Sequence, residues 1–343
     1  MACYHPLTGY VVGINHDTGK RIIKIGSCEY DGIDLPDNFQ FRHDAAQYSS
    51  AMPHEKILIP CGRCIGCRLK YSRIWADRMM AESLYHESNV FLTLTYDNDN
   101  LPDQHEYVDK ETGEIKVSPV HSINKRDVQL FIKRLRKQYS DQKIRYYAAG
   151  EYGEKSLRPH YHLIIFGLKI PDMKLLRESD QGFTYFVSDT ISKLWPYGFH
   201  LITNVTWETC AYVARYVMKK QKGNTASIYE EYGFEPEFAL MSRKPGIGRS
   251  FYDEHKKELL EKDGVYYPTD NGAVLLRSNS YYDRLLDIDY PEEAAEAKEK
   301  RVSLAKDYNK VKSNMTSLEY NDLLYASELN KNEQVKSLKR KEV

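Results

Sequence analysis

The sequence predicts an α+β protein: an antiparallel sheet built on a split βαβ order, preceded by a small cysteine-bearing region and followed by charged helices. Three observations predict it. Val90 to Tyr96 and His160 to Phe166 are β-branched and aromatic runs of strand length. Between them, apolar residues from Asn124 to about Tyr139 recur at helical spacing. The resulting order of strand, helix, strand, strand, short helix, strand and helix is that of a split βαβ unit with one helix added.

The elements follow in chain order. Residues 1–60 combine Gly, Asp and Pro turns with short apolar runs, which predicts a small β-rich or irregular region. Arg68 to Glu87 reads as a helix with Trp75, Met79 and Leu84 on one stripe. Val90 to Tyr96 is a strand ended by Asp97-Asn-Asp-Asn, and residues 97–122 are a polar loop with a turn at Thr112-Gly113. Asn124 caps a helix that turns Val128, Phe131, Ile132 and Leu135 inward and Lys and Arg outward. Ile144 to Ala149 is a second strand, and Gly150-Glu-Tyr-Gly153 is a connection to the third, His160 to Phe166. A further insertion holds a short helix near Ser188 to Leu194, before a strand from Phe199 to Val205 and a helix from Trp207 to Lys220. The sheet order expected is ferredoxin-like or RRM-like. Residues 291–343 predict one or two exposed helices and a frayed basic tail at Lys339-Arg-Lys341.

Apolar residues at 41% supply a core, and 49 basic against 49 acidic residues exclude a uniformly basic coat. The balance hides local bias. Residues 56–78 hold six basic residues against one acid, 125–145 eight against two, and 212–222 four against none. Three such segments can form one electropositive face. Tyr outnumbers Phe and Trp, 28 to 11 and 3, and its flat ring with a hydroxyl suits base stacking and phosphate contacts. The N-terminus shows no secretory pattern and no run reaches membrane-spanning length, so a soluble intracellular protein with no membrane partner is expected.

The chemistry concentrates in Arg158-Pro-His160-Tyr161-His162. On a strand, residues two apart share a face, so His160 and His162 present two imidazoles together, while Tyr161, Leu163 and Ile165 face the other way. Two imidazoles invite a divalent metal, and a carboxylate would complete an open site. Glu151, nine residues upstream beyond a hairpin, is the preferred third ligand, with Glu154 nearby. Tyr212 and Tyr216 lie four apart on a helix, hence on one side, with Lys219 one turn on. They fall on the arc opposite Cys210, Ala211, Val213, Ala214, Val217 and Met218, where a substrate would lie.

Cys61-x-x-Cys64-x-x-Cys67 has the spacing of a structural zinc site and needs a fourth ligand. Cys3 is preferred over Cys28, His5 and His54; an iron–sulfur cluster is the second assignment. Such a site would pin the N-terminal region and orient the basic helix from Arg68. Cys210 reads as core, and Lys244-Pro-Gly-Ile-Gly-Arg249 as either a phosphate contact or a plain turn.

The histidine pair and the downstream Tyr-x-x-x-Tyr-x-x-Lys resemble the HUH endonucleases that start rolling-circle DNA replication. With Cys61-Gly-Arg-Cys-Ile-Gly-Cys-Arg68, Phe91-Leu-Thr-Leu-Thr-Tyr-Asp97 and Gly150-Glu-Tyr-Gly-Glu154, the chain closely resembles the replication initiators of microvirus (gokushovirus)-type single-stranded DNA phages over residues 1–255. The resemblance implies an HUH-type sheet in which His160, His162 and an acidic residue hold Mg²⁺ or Mn²⁺. It implies that Tyr212 and Tyr216 are nucleophiles accompanied by Lys219. The product would be a 5′-phosphotyrosine and a free 3′-OH, and a second transfer would rejoin the strand. The implied partners are single-stranded DNA at a replication origin and the helicase and polymerase of the bacterial host, in whose cytoplasm the protein would act. Arg68, Lys70, Arg73, Lys133, Arg134, Arg158, Arg215 and Lys220 are the expected DNA-binding residues. The expected partition is residues 1–88 for the zinc region and basic helix, 89–255 for the nickase, and 256–343 for a helical C-terminal region. Two other functions fit parts of the pattern: a non-enzymatic, zinc-containing nucleic-acid-binding protein, and a metal-dependent phosphoesterase that uses water.

Overall fold

The computed structural model describes residues 3–14, 21–25, 55–153, 156–179, 182–216, 226–269 and 272–337. The chain divides into two compact units.

The smaller unit comprises Met1–Lys70 and Lys306–Arg340. β1 (Leu7–Ile14) pairs antiparallel with β2 (Arg21–Ile25) and β3 (Glu55–Ile59), in the order β2-β1-β3. The knuckle follows, and α1 (Ile65–Ser83) starts within it, three residues earlier than the sequence predicts. α8 (Pro291–Asn314) begins in the larger unit and ends in this one, and α9 (Tyr320–Ser337) meets the N-terminus: Glu328 Oε2 accepts from His5 Nε2 at 2.5 Å. The expected frayed tail at residues 339–341 lies outside the described residues.

The larger unit, Tyr71–Ala305, is built on an antiparallel sheet. Its elements are β4 (Asn89–Tyr96), a hairpin of β5 (Glu106–Val108) and β6 (Ile115–Val117), α2 (Lys125–Gln138), β7 (Arg145–Tyr152) and β8 (Pro159–Phe166). Then come β9 (Met173–Glu178), β10 (Thr184–Ser188), α3 (Asp189–Leu194), β11 (Gly198–Asn204), α4 (Trp207–Tyr216), α5 (Ser227–Glu231) and β12 (Phe238–Met241). The strand order among the described residues is β12-β7-β8-β4-β11-β10-β9. After it, α6 (Arg249–Lys262), the hairpin β13 (Gly264–Thr269) and β14 (Gly272–Arg277), and α7 (Ser280–Asp289) bury Phe251, Tyr252, Val265, Leu276 and Tyr282 in a core shared with Ala81 of α1.

Three expectations are corrected. Residues 97–122 are not all loop, because Glu106–Val108 and Ile115–Val117 pair around a turn in which Gly113 holds φ +72°. The insertion before α3 holds a second hairpin, β9–β10, whose β9 residues are all exposed and therefore carry no burial pattern. Glu151 lies within β7 rather than in a connection, because Glu151 and Tyr152 still pair with His160 and Pro159.

Alternation divides the sheet into two faces. On one, Leu92, Leu94, Tyr96, Ala148, Tyr161, Leu163 and Ile165 pack against Val128, Phe131, Ile132 and Leu135 of α2 and Ile191 of α3. α2 forms there because its apolar residues share one stripe and Asn124 Oδ1 accepts from the Arg126 N–H. Each such buried side chain contributes about 1.5–3 kcal/mol. On the other face, Phe91, Tyr147, Ala149, Ile164 and Phe166 pack under Trp75, Ala76 and Met79 of α1 and Cys210, Ala211, Val213 and Ala214 of α4. Cys210 is fully buried, as its place on the apolar arc predicts. His160 and His162 belong to this second face.

The turn at Lys244-Pro-Gly-Ile-Gly248 is held from inside by charge. Arg78 donates to the Ile247 carbonyl and Arg145 to the Pro245 carbonyl, while Glu82 accepts from the Gly248 N–H and pairs with Arg145. Two carbonyls and one N–H of the turn are thus held by buried side chains.

Candidate functional site

β8 carries His160 and His162, and β7 carries Glu151 directly across from His160. Glu151 Oε1 lies 2.9 Å from His160 Nε2 and 3.0 Å from His162 Nε2. The two rings stand 5.3 Å apart and almost perpendicular, at 88°. One donor atom from each of the three residues falls within 4.8 Å of the others. Glu151 and His162 are buried and His160 is half-buried, so the group opens toward solvent on the His160 side. Burial alone would push the Glu151 carboxyl up; the hydrogen bonds and charges of His160 and His162 outweigh it and hold it at about 2.

The outer nitrogens of both rings are also engaged. His160 Nδ1 lies 3.0 Å from the Arg158 carbonyl, and His162 Nδ1 lies 3.1 Å from Thr93 Oγ1. A carbonyl can only accept, so Nδ1 of His160 carries the proton. In the neutral ring, Nε2 then aims a lone pair at a carboxylate oxygen. That arrangement is repulsive unless a cation, or a second ring proton, stands between the two atoms. The donor set and the outer hydrogen bonds fit a divalent metal held by two oriented imidazoles and one carboxylate.

Tyr212 approaches from α4. Its ring is 5.3 Å from that of His162 and 6.2 Å from that of Phe91, edge-on to both. It is half-buried at the border of the core rather than on a free outer arc. The α4 helix lies along the sheet so that its apolar arc is covered and Tyr212 falls beside the histidine strand. Tyr216, one turn on, is the last described residue of α4. Lys219, Lys220, Val217, Met218 and Glu154 lie outside the described residues.

The expected DNA-binding residues divide. Arg158 stands at the rim, its guanidinium donating to the Tyr96 carbonyl at 2.8 Å and to Asn98 Oδ1. Arg215 is exposed on α4 and donates to the Ala211 carbonyl, which also accepts from Ser72 of α1. Arg73 is exposed and lies 3.7 Å from the Asp77 carboxylate. Lys133 and Arg134 are not brought to this group: α2 packs on the opposite face, and Arg134 donates to the Leu194 carbonyl of α3. Arg68 and Lys70 belong to the smaller unit. Thr93, which bonds His162, went unmarked in the sequence; the alternation Thr93-Leu-Thr95 in β4 was its one signal.

A second cluster lies in the smaller unit. The sulfurs of Cys3, Cys61, Cys64 and Cys67 all fall within 4.8 Å of one another. Backbone N–H groups point at them: Cys61 to Cys3 Sγ at 3.2 Å, Cys64 to Cys61 Sγ at 3.3 Å, and Tyr4 to Cys64 Sγ at 3.4 Å. Burial pushes the Cys61 thiol up, but the N–H groups of Cys64 and Arg63 outweigh it and lower it. Cys3 is thus the fourth member of the group, as the sequence reading prefers. His5 is engaged with Glu328 instead, and Cys28 and His54 lie outside the described residues.

The chain is 33% identical over 288 residues to the replication-associated protein ORF2 of Spiroplasma virus 4, covering 82% of this chain and 85% of that protein. The chain belongs to this family of phage replication-associated proteins. It is also 30% identical over 242 residues to the replication-associated protein VP4 of Bdellovibrio phage phiMH2K, covering 68% and 69% of the two chains. With the replication-associated protein ORF4 of Chlamydia phage 1 it shares 34% over 210 residues, or 59% and 44%. The family model for the ORF2 type of replication-associated protein matches residues 89–221. That span holds β4, β7 and β8 with the Glu-His-His group, and α4 with Tyr212. No solved structure matches. Among the described residues of this replication-associated protein, no helix is long and apolar enough to cross a membrane.

Proposed function

We propose that this replication-associated protein is an initiator of the HUH class that nicks single-stranded origin DNA through a tyrosine and later rejoins it. The observation that carries the reading is the Tyr212 ring 5.3 Å from His162, itself bonded to Glu151, inside the segment matched by the replication family. Residues 89–255 carry the chemistry in this reading, 1–88 present the cysteine site and basic helix, and 256–343 form a charged, mainly helical extension that also holds the β13–β14 hairpin. The strand order β7-β8-β4-β11, with α2 and α3 on one face, supports the ferredoxin-like assignment.

Glu151, His160 and His162 would hold Mg²⁺ or Mn²⁺, which when bound neutralises charge on the scissile phosphate. The chain's own residues do the rest. Glu151 and Thr93 fix the two imidazoles, and α4 carries Tyr212 to the same sheet face. The phenol oxygen of Tyr212 or Tyr216 bonds phosphorus and the phosphorus–O3′ bond breaks. The proton lost by the phenol is matched by the one the 3′-oxygen gains. The products are a 5′-phosphotyrosine and a 3′-OH that a host polymerase can extend. A phenol is a weak nucleophile at its usual pKa of about 10, so neighbouring cations matter; Arg215 on α4 supplies one.

The four cysteine sulfurs, with inward N–H groups, support a closed structural Zn²⁺ site. Action with helicase and polymerase in the host cytoplasm follows from the initiator reading.

A labelled single strand bearing the origin, incubated with Mg²⁺ or Mn²⁺, will give a covalent protein–DNA band on a denaturing gel. The Tyr212→Phe, Tyr216→Phe double variant will give none. A band that survives puts the nucleophile elsewhere, and cleavage with no band at all assigns the attack to water.

A further inference from the structure

The registers of the sheet place side chains of the site face in rows. Glu151 of β7, His160 of β8, Thr95 of β4 and Phe199 of β11 are cross-strand partners in succession. The next row is Ala149, His162, Thr93 and Leu201, and the one after it Tyr147, Ile164, Phe91 and Thr203. The third row is buried beneath α1 and α4. The first is open: Thr95 and His160 are half-exposed and Phe199 is 67% exposed.

A lone exposed apolar residue needs no explanation. Phe199 is singled out by its row. Two strand spacings separate it from His160, about 10 Å, on the same face of one rigid sheet. Its backbone is fixed: Gly198 before it holds φ +152°, and a Cβ there would stand 2.3 Å from the Asp97 nitrogen. The half-exposed cation of Arg158 is bonded to the carbonyl of Tyr96, which follows Thr95 on β4 and lies beside this row. A flat aromatic ring and a metal-ligand group in one row, with a cation beside it, suit a chain that alternates planar bases with phosphates.

We propose that Phe199 is a stacking platform for a base of the single strand whose phosphate meets the Glu151-His160-His162 group. The ring has no donor or acceptor, so it holds a base without reading its identity and fixes the strand near the scissile phosphate. The proposal rests on the nickase reading for the identity of the strand, and its test is run without cleavage.

Full-length protein, in buffer with no added Mg²⁺ or Mn²⁺ and no chelator that would strip the cysteine site, is titrated with a fluorescein-labelled origin single strand. Phe199→Ala will bind about tenfold more weakly, and Phe199→Trp will bind as well as the parent. Both will keep the parent's melting temperature, because the ring is exposed. Abasic sites moved along the strand will then weaken the parent at one position and leave Phe199→Ala insensitive there. Equal affinity and an identical abasic profile for parent and Phe199→Ala overturn the proposal. So does a change of oligomeric state in Phe199→Ala with DNA binding intact, which assigns the ring to a contact between copies. A parent that shows the stacking position yet forms no covalent adduct with Mg²⁺ refutes the nickase reading alone.

Discussion

Tyr212 stands edge-on to His162, with 5.3 Å between ring centroids and 79° between their planes. The ring therefore packs against a histidine of the Glu-His-His group as well as carrying a hydroxyl. Tyr212→Phe keeps the ring contact and should cost at most about 1.5 kcal/mol, the worth of one hydrogen bond. Tyr212→Ala removes the contact with His162 and Phe91 and should cost about 2–4 kcal/mol. Urea unfolding of the two variants separates the roles; equal losses would mean the hydroxyl, not the ring, matters to the fold.

Two imidazoles and a carboxylate predict divalent-metal binding measurable without DNA. Calorimetric titration with Mn²⁺ should show at least about tenfold weaker binding for His160→Ala and for Glu151→Gln. Thr93→Val, which removes the partner of His162 Nδ1, should weaken it by a smaller factor. Because a ligating imidazole must give up its proton, affinity should fall as the solution is acidified. Unchanged Mn²⁺ affinity in His160→Ala would remove the metal from the reading.

Elemental analysis should find about one zinc per chain. In Cys3→Ser the zinc should pass to a chromogenic chelator faster than from the parent. Purified parent protein free of zinc, or an identical release rate, would count against a four-sulfur site.

Glu82 and Arg145 form a buried ion pair beneath the 244–248 turn, and Glu82 also accepts from the Gly248 N–H. Glu82→Ala leaves Arg145 buried and uncompensated, and should cost about 3–5 kcal/mol by urea unfolding. Burial pushes the Glu82 carboxyl up, but His86, the Gly248 N–H and Arg145 outweigh it and lower it. Its contribution is thus present above the ordinary carboxylate pKa of about 4.3 and is lost as pH falls through the lowered folded value. A loss under about 1 kcal/mol in Glu82→Ala would contradict this account.

His200 is buried on β11 and accepts the Ser188 N–H at Nε2, 3.0 Å away. Burial lowers its pKa. Between the lowered folded value and the ordinary value of about 6.5, the unfolded chain binds the extra proton, so stability falls as pH falls. Thermal melts from pH 8 to pH 5 should show this slope, and His200→Gln should flatten it. A slope undiminished in that variant would assign it to another group.

The histidine strand, the capped helix α2 and the buried arc of α4 were legible in the sequence because their periodicity reports burial directly. The pairing of Glu151 with the histidines was legible because a nine-residue separation fits a hairpin. The hairpin β5–β6 and the strand β9 were not, since their residues are largely exposed, Met173–Glu178 throughout. The charge counts singled out Lys133 and Arg134, yet no count tells which side of a sheet a helix covers. The row joining Phe199 to His160 passes through β4, more than a hundred residues before Phe199, so it exists only once three strands are in register.

Because successive residues of β8 serve opposite sides of the sheet, parity constrains how this family diverges. A one-residue insertion between Arg158 and His162 would exchange the histidines with Tyr161 and Leu163, sending imidazoles against α2 and greasy side chains to the solvent. No such parity governs residues 97–122, whose β5–β6 hairpin is a two-stranded sheet of its own. Differences in chain length among relatives should therefore gather in that stretch, while the spacing of the histidine strand stays frozen even where its residues drift.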